Sequence, residues 1–261
     1  MQAPSPDAPA EGPKVVPAAT VVIFRRCALN GPPELLLVQR AKEMRFAGGA
    51  AVFPGGKVDP EDRDLARALA PDADPVMAAA RLAGIRETLE ETGLAIATTR
   101  KIGASEAADA RAMLLEHGTL APVLERFDWT LDLDGLVRFA HWCPMRDGSF
   151  DVQFFLTDLG TGAVDIAVDA TENTRLFWSS AQGALAAADN GEISVIFPTR
   201  RNLERLAQFG SYAEAHDHAQ TTPIRMITPR SEDRDGETWL TIPEGLGYPV
   251  TGQTLASAVR G

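Results

Sequence analysis

The stretch RETLEETGL, residues 86–94, places three glutamates within five positions and ends on a glycine and a leucine. In a helix, residues three and four apart share one face, so Glu87, Glu90 and Glu91 would point in one direction. Like charges this close repel one another unless water or a cation screens them. The pattern therefore fits two structures: a solvated helix end that carries ion pairs, or a site for a hard divalent cation.

The sequence on the N-terminal side extends this helix. The run PVMAAARLAGIRETLEET, residues 75–92, is rich in alanine and has apolar residues near helical spacing, and Gly93 suits a C-cap. The segment AVFPGG, residues 51–56, ends an apolar run at a Pro-Gly-Gly break, where the chain turns sharply or approaches something closely. The polar insert between these segments predicts one short helix at 63–69.

The rest of the chain alternates between strand-like and helix-like segments. A hairpin is predicted for residues 15–26 and 34–40. Further helices are predicted at 105–118, 120–127, 181–191 and 198–219, and further strands at 137–144, 150–159 and 174–180. From Thr222 onward we expect extended chain on the surface. The mixed order predicts an α/β fold, a mixed sheet flanked by helices. We expect a disordered leader at 1–14, a single domain at 15–250 and a tail at 251–261.

Composition narrows the function classes. The 261 residues are 45% hydrophobic, and the formal net charge of -11 opposes binding to nucleic-acid phosphates. No apolar run approaches the roughly 18 residues of a membrane span, so we expect no membrane partner. The two cysteines, Cys27 and Cys143, are too few for a disulfide framework, which favours a cytoplasmic location.

Residues 86–94, together with FPGG at 53–56, resemble the signature of the Nudix hydrolases, G-x5-E-x7-R-E-U-x-E-E-x-G-U with U aliphatic. The second half matches at every fixed position, and Thr88 is the one non-aliphatic U. The first half departs from the signature, because Ala78 stands where the box has a glutamate. The box would also place its glycine at position 72, whereas this chain has it at 56, so the loop is longer by 16 residues (72 − 56).

A second motif narrows the resemblance within that family. The stretch LLVQRAKEMRFAGGAAVFPGG, residues 36–56, is similar to the motif that precedes the box in coenzyme A diphosphatases, with substitutions at Ala41, Met44 and Ala51. Residues 139–159, 172–178 and 197–207 look like the nineteenth-type subfamily, which contains acyl-CoA diphosphatases. The resemblance covers roughly residues 15–248. It implies a Nudix α/β/α sandwich with extra C-terminal helices, a box region at 55–94 and a lengthened loop at 57–75.

The resemblance implies a metal site on the predicted helix. Mg²⁺ or Mn²⁺ would be bound by Glu87, Glu90 and Glu91 and by the backbone carbonyl of Gly56. Arg86 matches the box arginine that orients a glutamate of this cluster. The local sequence alone also fits a surface ion pair for Arg86.

Further residues are implied to contact the substrate. Gly55 and Gly56 permit close backbone approach, and Arg40 and Arg45 are candidates to clamp phosphates, since guanidinium geometry suits that task. Glu172 stands where many Nudix proteins carry a further acid, a candidate general base. As alternatives, the two arginines are solvated strand-end residues and Glu172 is a solvated turn residue.

The implied activity is Mg²⁺-dependent cleavage of the diphosphate in a nucleoside diphosphate linked to another moiety, with coenzyme A or acyl-CoA as the favoured substrate. One alternative keeps the chemistry and changes the substrate to ADP-ribose, NADH or a nucleotide sugar. The other is a Nudix module that binds a nucleotide without cutting it. Ala78 favours that second alternative, and the intact glutamates oppose it. Members of the family often pair, so a homodimer is also an expectation from the resemblance.

Overall fold

The computed structural model describes residues 12–27, 31–43, 47–159 and 173–258. The leader predicted for 1–14 lies mostly outside these ranges and stays a prediction, as do the domain limits. The strands described are β1 (Val16–Arg25), β2 (Glu34–Arg40), β3 (Ala51–Val52), β4 (Gly55–Lys57), β5 (Val137–Trp142), β6 (Phe150–Asp158), β7 (Asn173–Ser180), β8 (Met226–Ile227), β9 (Arg230–Arg234), β10 (Glu237–Thr241) and β11 (Gly252–Thr254). The helices are α1 (Pro60–Leu69), α2 (Pro75–Thr92), α3 (Ala104–His117), α4 (Ala121–Phe127), α5 (Ala181–Asp189), α6 (Phe197–Leu206), α7 (Tyr212–Thr221) and α8 (Leu255–Ala258).

The predicted mixed sheet is present and contains eight of these strands. Its order is β3-β2-β1-β6-β5-β8, with β4 paired to β1 and β7 paired to β2. The predicted hairpin is present, since β1 and β2 pair antiparallel with Phe24 opposite Leu35. β1 also pairs in parallel with β6 over nine residues. Because β4 pairs with β1 as well, the Pro-Gly-Gly break lies directly against the central strand.

Helices cover both faces of the sheet. Alternate residues of β1 point to opposite faces, as the pleat of a strand requires. Val22 and Phe24 pack in a core with α5, α6 and α7, whereas Val21 and Ile23 pack in a second core with α1 to α4. Each side chain buried in this way stabilises the fold by roughly 1.5–3 kcal/mol. The layers form the α/β/α sandwich that the sequence predicts.

α2 has the bounds predicted from the sequence. The side chain of Asp74 accepts hydrogen bonds from the backbone N–H groups of Val76 and Met77 at 2.8 and 3.2 Å, which caps its first turn. Gly93 ends the helix in the left-handed region, with φ of 75°, and its N–H donates to the carbonyl of Leu89. Among the helices described, none is long and apolar enough to cross a membrane.

The prediction of one helix at 198–219 was wrong. α6 ends at Leu206 and α7 begins at Tyr212, because the chain between them includes Gly210 and because Ser211 caps a new helix. The hydroxyl of Ser211 accepts a hydrogen bond from the backbone N–H of Glu214 at 3.2 Å. A polar capping residue inside an apparently continuous amphipathic pattern therefore marks a helix start.

The prediction of extended surface chain from Thr222 onward was right about the extended conformation and wrong about the surface position of its apolar residues. β8 joins the main sheet through β5, and β9, β10 and β11 form a separate three-stranded antiparallel sheet. The short apolar runs of this segment insert Ile242, Leu246 and Tyr248 into the core beneath α5 to α7. Their burial, rather than any local propensity, holds this segment in place.

Candidate active site

The C-terminal half of α2 lies directly on the central strand. An added Cβ at Gly84 would come within 2.8 Å of a methyl carbon of Val21, so the helix approaches β1 as closely as its backbone allows. The next turns carry Arg86, Glu87, Glu90 and Glu91 past β4 and α1. These side chains are therefore held by two secondary-structure elements in addition to their own helix.

Arg86 is buried and is surrounded by acceptors. Its Nε and Nη2 donate to the two carboxylate oxygens of Asp62, both at 3.0 Å, and the two side chains are 4% and 2% exposed. Nη2 also donates to the carbonyl of Lys57 at 3.0 Å and lies 3.2 Å from a carboxylate oxygen of Asp59. Burial lowers the pKa of Arg86, but the bond to Asp62 and the nearby carboxylates outweigh it, and the pKa is raised overall. The surface ion pair considered for Arg86 is thus excluded by its burial.

Two of the three glutamates face the other side of this guanidinium. Nη1 of Arg86 donates to Oε1 of Glu87 at 3.0 Å and lies 3.5 Å from Oε2 of Glu90. The side chain of Glu87 is 17% exposed and that of Glu90 is 35% exposed. Arg86 therefore links the carboxylate of Asp62 on α1 to the glutamates of α2.

The two glycines of the Pro-Gly-Gly break both occupy positions where a side chain does not fit. Gly55 has φ of 151°, and an added Cβ would lie 2.2 Å from the carbonyl oxygen of Ala19. At Gly56 an added Cβ would lie 2.3 Å from the carboxylate carbon of Glu87. The Glu87 carboxylate thus rests on the bare backbone of Gly56.

Glu91 points away from Arg86 and is almost fully buried. Its Oε2 accepts a hydrogen bond from the backbone N–H of Gly55 at 3.0 Å. Its Oε1 accepts one from the side-chain Nδ2 of Asn173, the first residue of β7, at 3.4 Å. The residue is 4% exposed. Glu91 is therefore held between the glycine loop and the start of β7.

The raised pKa values of Glu87 and Glu91 indicate that a cation beside them would stabilise their ionised forms. Burial, opposed by Arg86 and reinforced by the charge of Glu90, raises the pKa of Glu87 to about 7. Burial and the charge of Glu87 raise the pKa of Glu91 to about 8. Two adjacent carboxylates that are costly to ionise become stable anions when a cation is placed beside them.

The residues fit a hard divalent cation in their chemistry. Carboxylate and backbone carbonyl oxygens are the ligands that Mg²⁺ and Mn²⁺ prefer, and the missing Cβ of Gly56 leaves its backbone open beside Glu87. Among the described residues, no group of three or more Asp, Glu, His or Cys side chains is already arranged to hold a metal ion. The chemistry of these groups therefore suits such an ion, and Arg86 contacts both Glu87 and Glu90 beside it.

Arg40 lies at the sheet side of this site. It is the last residue of β2 and stands opposite Asn173 across the β2–β7 ladder, next to an irregularity in the register. Its positive charge acts on Glu91 and lowers that residue's pKa, against the larger effect of burial. The other two predicted site residues, Arg45 and Glu172, lie outside the described residues, so the structure does not place them relative to this cluster.

Comparisons with known proteins give partial matches in sequence and a similar fold. No family model matches the chain. The mitochondrial coenzyme A diphosphatase NUDT8 of Mus musculus is 32% identical over 123 residues, which cover 46% of this chain and 48% of that protein. The Homo sapiens protein of the same name is 34% identical over 82 residues, 31% of this chain and 28% of that protein. The matches thus span less than half the length of these curated relatives.

A crystal structure of a NUDIX hydrolase from Alicyclobacillus acidocaldarius is 28% identical and superposes with a TM-score of 0.66. The match covers 78% of this chain and 96% of that one. The chain has the Nudix fold. It resembles the Nudix hydrolases, and among curated proteins it is similar to coenzyme A diphosphatases.

The structure explains the departures from the Nudix box. Ala78 is 1% exposed and packs in the apolar core beneath α2, so a glutamate there would lose its hydration. The lengthened loop instead folds as α1, whose Asp62 reaches Arg86. α1 begins at Pro60, three residues before the predicted start, and the side chain of Asp62 accepts a hydrogen bond from the backbone N–H of Asp59.

Two contacts of the site were not predicted from the sequence: Asp62 with Arg86, and Asn173 with Glu91. Asp62 lies in the polar insert, but its pairing with Arg86 depends on how α1 folds back onto α2, which no local pattern encodes. Asn173 was not considered. Its position directly after Glu172 in the sequence was the available signal.

Proposed function

We propose that this chain is a divalent-metal-dependent hydrolase that cleaves the diphosphate bond of a nucleoside diphosphate linked to another moiety, with coenzyme A or acyl-CoA as substrate. The observation that carries the proposal is the placement of Glu87 and Glu91. Glu91 is buried and Glu87 is half-buried on the Nudix helix, and both carboxylates lie against the bare backbone of the glycine loop. Partial matches to coenzyme A diphosphatases support the substrate.

In this proposal Mg²⁺ or Mn²⁺ is bound by Glu87, Glu90 and Glu91 and by the carbonyl of Gly56. When bound, the ion supplies Lewis-acid polarisation of the diphosphate and a lowered pKa for a water. The protein's part is to hold the ligands in place. Arg86 does so for Glu87 and Glu90 through its Nη1, while its other donors are fixed on Asp62.

The diphosphate is proposed to lie between this cluster and Arg40. A guanidinium offers several donors to phosphate oxygens. Arg40 lies at the end of β2, opposite Asn173, whose side chain contacts Glu91. Arg45 is proposed to assist from the same segment. Cleavage of the P–O–P bridge by water would release 3',5'-ADP and 4'-phosphopantetheine, or its acylated form.

Four further features of the proposal come from the sequence and from the resemblance. Glu172 is proposed as the general base, supported by its position one residue before Asn173, whose side chain contacts Glu91. A cytoplasmic location is proposed from the two cysteines, which are both free. A homodimer is proposed by analogy with the family. The ligand class is a small nucleotide, since the net charge of -11 opposes nucleic acid.

Two alternatives differ in substrate and in class. The same metal chemistry would serve ADP-ribose, NADH or a nucleotide sugar. A binding module without catalysis is the second alternative, which Ala78 favours and the intact glutamates oppose.

Turnover of coenzyme A by Glu90→Gln and Glu91→Gln separates enzyme from binder. In the proposed enzyme each variant loses most of the wild-type kcat, by roughly 10²–10³-fold, because a metal ligand is replaced by a neutral amide. A pure binding module has no turnover to lose and keeps nucleotide affinity in both variants. Glu116→Gln, at an exposed site on α3, is the matched control and should retain wild-type turnover.

A further inference from the structure

Asn173 is a buried polar residue with only part of its hydrogen-bonding capacity used. It is 1% exposed, and its Nδ2 donates to Glu91 Oε1 at 3.4 Å. Among the described residues its Oδ1 has no hydrogen-bond partner, and neither does the buried Nε of Arg40 across the ladder. A buried amide without its hydrogen bonds costs about 1–3 kcal/mol, so an apolar residue would suit a purely structural strand position better.

The orientation of the Asn173 carboxamide follows from Glu91. When Glu91 is ionised, as a metal ligand must be, its carboxylate only accepts hydrogen bonds, so the NH₂ group of Asn173 faces Glu91 and its Oδ1 faces away. The donor–acceptor distance of 3.4 Å is longer than a typical hydrogen bond. Contacts of this kind in ligand-free active sites often shorten once the ligand binds.

We propose that Asn173 is a positioning residue for Glu91: its carboxamide holds the Glu91 carboxylate in the orientation that binds the divalent cation. The inference rests on the proposed function, because it needs Glu91 to be a metal ligand. Gly55 and Asn173 hold opposite oxygens of this carboxylate, so together they fix its plane. Partners that orient metal ligands in this way typically contribute 10–100-fold to metal affinity.

Arg40 and Asn173 lie opposite each other in the β2–β7 ladder, on the side where the substrate is proposed to bind. Residues directly opposite in an antiparallel ladder project from the same face of the sheet. A donor on Arg40 and an acceptor on Asn173, both without a partner among the described residues, therefore lie on one side of the Glu91 carboxylate. A phosphate oxygen satisfies the donor and a water satisfies the acceptor, so both needs match a hydrated diphosphate.

The test measures Mn²⁺ alone binding to the intact, metal-free protein by isothermal titration calorimetry. Asn173→Ala is expected to weaken Mn²⁺ affinity by roughly 10-fold. Asn202→Ala is the matched control. Asn202 is likewise fully buried with one side-chain hydrogen bond, from the Tyr248 hydroxyl to its Oδ1, but it lies on α6 in the other core. Its substitution should leave Mn²⁺ affinity unchanged.

Wild-type affinity in Asn173→Ala would overturn the inference, and so would an equal loss in Asn202→Ala, which indicates general loosening. Asn173→Thr serves if the alanine variant does not fold: threonine suits a strand, and its short side chain does not reach Glu91, so the same loss is expected. Glu91→Gln distinguishes a failure of the proposed function from a failure of this inference. If that variant binds Mn²⁺ as the wild type does, Glu91 is no ligand and the proposed function fails first.

Discussion

Asp62 and Arg86 form a two-contact ion pair with both distances at 3.0 Å, and neither side chain is more than 4% exposed. The pair joins α1, which folds from the lengthened loop, to the helix that carries the glutamates. Arg86 in turn contacts Glu87 and Glu90. The inserted segment therefore helps to determine where the candidate metal ligands lie.

Removing this carboxylate should be costly. Asp62→Ala leaves a buried guanidinium without its main partner and is expected to lower the free energy of unfolding by about 3 kcal/mol, measured by urea denaturation. Asp64→Ala is the matched control, because its ion pair with Arg67 on the same helix is exposed. That variant should change stability by less than about 0.5 kcal/mol. Equal effects of the two substitutions would show that the buried pair is unimportant.

Much of this architecture can be predicted from sequence because it is local. The bounds of α2 follow from a capping aspartate, a first-turn proline and a left-handed glycine, all within one segment. The β1–β2 hairpin is equally local. The candidate metal ligands on α2 follow from the spacing of Arg86 to Glu91.

The remainder depends on contacts between distant segments. Asn173 reaches Glu91 only because β7 pairs with β2, and Asp62 reaches Arg86 only because α1 packs back onto α2. The C-terminal strands are held by burial of Tyr248 and its neighbours in a core shared with α5 to α7. No periodicity within a segment specifies which distant segment will cover it.

The metal-free protein should lose stability as pH rises. The pKa values of Glu87 and Glu91 are raised from 4.5 to about 7 and about 8 in the folded chain. Such carboxyl groups bind protons more tightly in the folded state, so their contribution is complete below pH 4.5 and is lost as pH rises through 7 to 8. The melting temperature measured in chelator should fall over this window.

The same pH series should change when metal is added or Glu91 is replaced. Mg²⁺ is expected to raise the melting temperature more at the alkaline end, where both carboxylates are ionised and free to bind it. Glu91→Gln should flatten the metal-free profile, since its buried charge is gone. A melting temperature that rises with pH in chelator would contradict this electrostatic description.

Gly56→Ala should weaken metal binding while leaving the fold nearly as stable as in the wild type. The three atoms nearest to an added Cβ all belong to the Glu87 carboxylate, the far end of a side chain, so we expect the fold to adapt while that carboxylate moves. We expect a change in stability below about 1 kcal/mol and at least a 10-fold loss in Mn²⁺ affinity. In the control, Gly103→Ala, the added Cβ has no atom within 4 Å, and Mn²⁺ affinity should be unchanged. Normal Mn²⁺ binding by Gly56→Ala would remove Glu87 and Gly56 from the site.

Arg40→Ala should affect substrate binding more than chemistry. Loss of a guanidinium that contacts phosphate in both ground and transition states raises KM with little change in kcat. We expect roughly a tenfold increase in KM for coenzyme A, about 1.4 kcal/mol, from steady-state kinetics. Arg26→Ala, at an exposed position just after β1, is the control and should behave as wild type. An unchanged KM in Arg40→Ala would place the diphosphate elsewhere.

The most direct test of the account is hydrolysis of a substrate panel by the wild-type protein with Mg²⁺, with Mn²⁺ and with chelator. The panel contains coenzyme A, acetyl-CoA, a longer acyl-CoA, ADP-ribose, NADH and a diadenosine polyphosphate. We expect metal-dependent release of 3',5'-ADP from the coenzyme A compounds and no release in chelator. Cleavage of ADP-ribose or NADH alone would contradict the proposed substrate, and no turnover with any compound in either metal would contradict the proposed hydrolase.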